Sequence, residues 1–152
     1  MRIEAVFKAA TDSDIEWLLK AMHEFYAIDG YPFNEEIARP ALEKFIGNSS
    51  LGRLWLIEAE GKAVGYVALT FGYSFEFHGR DAFVDELFVD SAYRGQGIGN
   101  QTMQFIEERC REFGIAALHL EVERENLAAQ GLYRKFGFKD HDRFLMTRWI
   151  AK

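Results

Sequence analysis

The residues with the clearest chemical potential lie between positions 83 and 99. There Arg94-Gly95-Gln96-Gly97-Ile98-Gly99 forms a glycine-rich turn that runs directly into a helical apolar pattern. Such a corner presents N–H groups without intrahelical partners and the positive end of a helix dipole, a receptor for phosphate. Glycines let the main chain approach the anion closely. Two other phosphate loops do not fit. The dinucleotide fingerprint requires a third glycine at position 100, where Asn100 stands, although Gly95 and Gly97 match its first two, and the G-K-[ST] of a P-loop is missing. Just upstream, residues 83–89 are apolar except for adjacent Asp85 and Glu86. Two polar residues in succession break strand alternation, as a β-bulge does.

Other reactive side chains read as structural. Cys110, the one cysteine, falls on the apolar stripe of a helix with Ile106 and Phe113, which argues for packing rather than nucleophilic chemistry. A lone thiol cannot form an internal disulfide. His23, His78, His119 and His141 are scattered without a ligand spacing, so no metal site is expected. His119, inside an apolar strand, reads as a satisfied buried residue.

The elements that must position the corner follow from periodicity. Ile3, Ala5 and Phe7 alternate as a short strand; Thr11-Asp12-Ser13-Asp14 caps a helix that ends near Asp29-Gly30; Asn34-Glu35-Glu36 opens a second that stops at Gly47, with Pro40 as an awkward interior residue. Strands over 54–60 and 63–73 flank Glu60-Gly61-Lys62, a tight hairpin, and 83–89 follows as a third. After the turn come a helix closed by Gly114, a strand over 117–122, a helix over 126–136, and a last strand pair from Gly137-Phe138 to Trp149. The order predicts a mixed α/β or α+β sheet in a single domain over 1–152.

Composition excludes several classes. With 18 Lys and Arg against 24 Asp and Glu, the net charge of −6 argues against a nucleic-acid binder. The longest uncharged stretch, residues 63–75, is far short of the ~20 residues that cross a bilayer. The acidic Met1-Arg2-Ile3-Glu4 start does not resemble a secretory signal, so a cytoplasmic protein without membrane partners is expected.

Leu87-Phe88-Val89 followed by Arg94-Gly95-Gln96-Gly97-Ile98-Gly99 resembles the acetyl-CoA motif Q/R-x-x-G-x-G/A of the GNAT N-acetyltransferase superfamily. Downstream, Asn126, Ala129, Leu132-Tyr133 and Gly137-Phe138 resemble that family's N-x-x-A-x-x-L-Y-x-x-x-G-F segment. The two matches cover about residues 82–138. The resemblance implies a GNAT-like central mixed, mostly antiparallel sheet flanked by helices, with acetyl-CoA at the strand-loop-helix corner, its pyrophosphate on the N–H groups of residues 94–99 and its pantetheine along Leu87, Phe88 and Val89. A bulge would leave an N–H near Leu87 or Phe88 free to polarise the thioester carbonyl.

The same resemblance implies that Asn126 binds the cofactor arm, although a helix N-cap explains it equally well. Attack by an amine requires loss of a proton, and Glu86 and Glu121 are both candidate bases, directly or through water. Tyr133 matches the family's proton donor near the sulfur; packing with Phe136 and Phe138 is the alternative. The acceptor would be a small-molecule or peptide amine. Aromatics Phe25, Tyr26, Tyr31, Phe33, Tyr73, Phe75 and Phe77, with Glu24, Asp29 and Glu76, would line its pocket and favour a cation; that most of the aromatics are core and the acids ordinary surface is the alternative. A non-catalytic acyl-CoA-binding module stays open, as does a homodimer.

Overall fold

The computed structural model describes residues 2–151. It contains two compact units, one up to Glu121 and one from Val122 onward. The first unit is built on a five-stranded sheet in the order β1 (Val6–Ala9), β2 (Gly52–Ala59), β3 (Lys62–Ser74), β4 (Gly79–Val89), β5 (Ala117–Leu120). Neighbours from β1 to β4 are antiparallel, and β5 runs parallel to β4. This is the mixed sheet that the order of elements predicts, with the mostly antiparallel pairing that the resemblance implies. The β2–β3 turn places Glu60 at φ 52° and Gly61 at φ 79°, the paired left-handed geometry that matches the twist of a tight hairpin.

Helices cover both faces of the sheet. On one side α1 (Ile15–Ile28) and α2 (Glu35–Ile46) bury Ile15, Leu18, Leu19 and Leu42 against Leu54, Leu56, Tyr66 and Phe88. On the other, Ile98 of α3 (Ile98–Glu112) packs with Ile57, Ala59 and Val64, and Leu87 and Val89 close around them. The apolar stripes of these helices are therefore what the sheet needs on each face. Asn34 caps α2 by accepting from the Glu36 N–H at 3.0 Å, and the helix continues through Pro40. Gly114, at φ 70°, ends α3 as its position in the sequence predicts.

The second unit carries one helix, α4 (Leu127–Lys135), with no buried side chain. The expected strand pair from Gly137 to Trp149 is not formed. Residues 137–151 contain no regular element, and residues 141–150 are all exposed. A two-stranded ribbon needs a further strand or a helix over its apolar face to be stable, and α4, the one helix among this unit's described residues, buries no side chain.

Candidate active site

β4 reaches the corner with one residue too many. Its register with β3 runs from Gly65↔Val89 to Ala68↔Glu86 and resumes at Leu69↔Val84, so Asp85 is the extra residue. This is the bulge that the Asp85-Glu86 pair predicts. Its effect is on parity, because side chains alternate faces along a strand and one added residue turns the remainder over. Phe83 pairs with Thr70 and Glu86 with Ala68, so two residues three apart share a face. Glu86 and Phe88 thereby face α1, while Leu87 and Val89 turn to α3.

The bulge also marks where the other edge of β4 opens. Pairing with β5 extends only from Asp81↔Ala117 to Val84↔Leu120. Beyond it, among the described residues, no strand pairs with residues 86–89 along that edge. A strand edge of this kind offers main-chain donors and acceptors to an extended ligand.

After β4 the chain makes a single 3-10 turn over Ser91–Tyr93, capped by the Asp90 side chain, which accepts from the Ala92 N–H at 2.9 Å. Arg94 returns its Nε to the Val89 carbonyl at 2.8 Å. Gly95 and Gly97 then take φ of 73° and 85°, left-handed conformations that an L side chain would strain. Gly97 is the N-cap of α3 and brings no side-chain oxygen to it. The first intrahelical bond runs from the Gln101 N–H to the Gly97 carbonyl at 3.2 Å. The N–H groups of Ile98, Gly99 and Asn100 thus precede the helical ladder, as the first turn of any helix requires.

Gln101 holds this loop to the N-terminal residues, a role sequence reasoning missed. Its Oε1 accepts from the Ala5 N–H at 2.9 Å, and its Nε2 donates to the carbonyls of Ile3 at 2.6 Å and Gly97 at 3.1 Å. The Ile3 N–H donates in turn to the Gln96 carbonyl at 2.9 Å. The only sequence signal is its place one turn along from Ile98, beside Thr102 of the apolar stripe; its burial appears only in the fold.

Glu86 occupies the α1 side of the strand, half-buried, and both of its oxygens are engaged. The Tyr66 hydroxyl donates to Oε1 at 2.7 Å and the Tyr26 hydroxyl to Oε2 at 2.5 Å. Burial pushes its carboxyl above the usual range, while the two hydroxyls hold it down and the Asp85 charge adds a smaller upward push. Both phenols are pushed up, first by burial and then by the carboxylate beside them. Glu121 differs: it is exposed, one residue past β5.

In the second unit, Asn126 caps α4 by accepting from the Ala129 N–H at 3.1 Å. Tyr133 packs edge-on against Phe138, ring centroids 5.9 Å apart, and burial pushes its phenol up. The aromatics expected at an acceptor pocket divide. Phe25 and Phe33 pack against the α1–α2 core, whereas Tyr73 and Phe75 are exposed at the β3–β4 hairpin. A cleft of about 820 Å³ is lined by Glu16, Leu19, Lys20, His23, Phe33 and Glu35. Its carboxylates Glu16 and Glu35 share the one Arg39 guanidinium, at 2.9 and 2.7 Å, and Lys20 of the same lining brings a second positive charge. Cys110 is buried with its thiol pushed up to about 11, as a packing role requires. His119 bonds Asp81 Oδ2 at 3.1 Å. No helix among the described residues is long and apolar enough to cross a membrane.

Residues 15–138 match the acetyltransferase (GNAT) family. An integron cassette protein from the mobile metagenome of Cole Harbour salt marsh is similar in structure, with TM-score 0.84 and 33% identity over 96% of this chain and 91% of that one. A predicted acetyltransferase from Clostridium acetobutylicum, solved with acetyl-CoA, has TM-score 0.80 and 18% identity over 95% of this chain and 96% of that one, a likeness of fold. Bovine thialysine N-ε-acetyltransferase is 35% identical over 77 residues, which is 51% of this chain and 45% of that enzyme. The chain therefore matches less than half the length of that curated relative.

Proposed function

Because this chain belongs to the GNAT acetyltransferase family, we propose that it is an acetyl-CoA-dependent N-acetyltransferase that passes the acetyl group directly to a primary amine. The observation that carries the reading is the continuity of β4's open edge with the left-handed glycine loop and the side-chain-free N-terminus of α3. A diphosphate fits that loop: main-chain N–H groups there precede the helical ladder, and the space beside Gly95 is open. The main chain of Arg94, Gly95, Gln96, Gly97, Ile98 and Gly99 would hold the diphosphate, and that of Leu87, Phe88 and Val89 the pantetheine arm. Bound there, acetyl-CoA supplies an activated acetyl thioester.

The chain's own groups handle protons. An alkylammonium with a pKa near ~10.4 must lose one before its nitrogen can attack. Glu86 serves as the base, directly or through water, because its half-buried carboxyl has a raised pKa and sits on the strand that carries the open edge. Exposed Glu121 is the second candidate. Tyr133, kept protonated by burial, holds the proton for the departing sulfur. Asn126, beyond its cap, offers its amide to the cofactor arm.

Titration calorimetry with acetyl-CoA, alongside thiol release across thialysine, a polyamine, an aminoglycoside and an alanyl peptide, tests the proposal. Binding with release on at least one amine is the expected result. Binding without release from any of them would favour a non-catalytic acyl-CoA-binding module, and no binding at millimolar acetyl-CoA overturns both readings.

A further inference from the structure

The clasp on Glu86 joins two layers of the molecule. Tyr66 lies on the neighbouring strand, is 1% exposed and belongs to the core, so its hydroxyl is a fixed point. A single hydrogen bond to Oε1 leaves the carboxylate free to pivot about the bond that carries it. The second bond, from Tyr26 to Oε2, fixes its plane and comes from the last turn of α1. Each carboxylate oxygen has two lone-pair sites, so with one taken by a tyrosine each oxygen keeps another to receive a proton.

We propose that Tyr26 is the positioning residue for Glu86, its hydroxyl setting the orientation of the carboxylate from the α1–α2 arm. The ring that carries this hydroxyl packs edge-on against Phe33, centroids 5.3 Å apart, and Phe33 meets His23 at 5.7 Å. Phe33 lies in the connection between α1 and α2, so whatever shifts that connection shifts the hydroxyl. The arm and the base are one mechanical unit. The groups that face Glu86 are Tyr26 from α1, Tyr66 from β3 and Asp85 on its own strand. Of these, Tyr26 and Tyr66 stabilise the ionised form and Asp85 opposes it.

The proposal rests on Glu86 being the base, and its test separates the two. The full-length protein is labelled with 13Cδ-glutamate, the Glu86 signal is assigned by its loss in Glu86→Gln, and the carboxyl is titrated by NMR without ligand in wild type and Tyr26→Phe. Loss of a hydrogen bond to a charged group should move the Glu86 midpoint upward by about one pH unit, a roughly tenfold change in its ionisation equilibrium. Tyr26→3,5-difluorotyrosine keeps the ring and strengthens the donor, and should move the midpoint the other way, which covers a phenylalanine variant that fails to fold. A midpoint unmoved by either substitution overturns the proposal, since a tyrosine that only packs would leave the titration alone. Thiol release by Glu86→Gln at the wild-type rate, on an amine that the wild type acetylates, would remove Glu86 as base. The NMR result would still decide whether Tyr26 holds it.

Discussion

Tyr133 illustrates how a residue's environment decides which proton it can carry. Burial pushes its phenol up, so the hydroxyl stays protonated at neutral pH and is a donor rather than a phenolate. Tyr133→Phe keeps the edge contact with Phe138 and removes only the oxygen. The proposed role predicts a fall in kcat of about a hundredfold with the acetyl-CoA Kd within about twofold of wild type. Steady-state kinetics beside calorimetry check it, and an unchanged kcat removes the role. The sequence named Tyr133 through its motif but left Glu86 and Glu121 level. Their separation rests on tertiary facts: one side chain is half-buried between two tyrosine hydroxyls, and the other is exposed. Tyr26, sixty residues from Glu86, shares no periodicity or motif with it, so no reading of spacing could join them.

At the scale of elements, the bulge was legible because two adjacent acids interrupt an apolar run. What it does was not, since the face each residue takes depends on the register with β3. That register is held tightly at Gly65, where an added Cβ would lie 2.1 Å from the Phe88 carbonyl oxygen and 3.2 Å from Val89 Cα. Both are main-chain atoms of the stretch proposed to carry pantetheine. Gly65→Ala should therefore cost about 1–3 kcal/mol in denaturant unfolding and weaken acetyl-CoA binding together. Gly131→Ala is the contrasting case, because open space surrounds that helical glycine and alanine is the better helix former. An unaffected Kd in folded Gly65→Ala would argue that this edge does not carry the cofactor.

For the whole molecule, the order of helices and strands up to residue 120 could be read from capping residues, glycines and alternation, and most boundaries moved by only a few residues. The C-terminal strand pair could not, because the apolar residues between Gly137 and Trp149 record a tendency and a strand exists only beside another. The two units differ accordingly in what holds them. β2, β3 and β4 each bury five or six residues between two layers of helix, whereas α4 has nine residues and none buried. A helix of that length is marginal without packing. Hydrogen exchange read by mass spectrometry should show slow, globally limited exchange in β2–β4 and faster exchange by local opening in α4. Equal protection in both would contradict this ranking.

The stitching around Gln101 bears on how the protein comes into being. Its bonds to Ile3 and Ala5 span 98 and 96 positions, so the loop from Arg94 to Gly99 is braced by residues synthesised at opposite ends of a long stretch of chain. Closing so large a loop is entropically slow, and it rewards the chain only once the intervening sheet has brought the ends together. A nascent chain halted before residue 101 would hold every glycine of the turn and still lack the brace, so capture of coenzyme A would be among the last abilities it acquires on the ribosome.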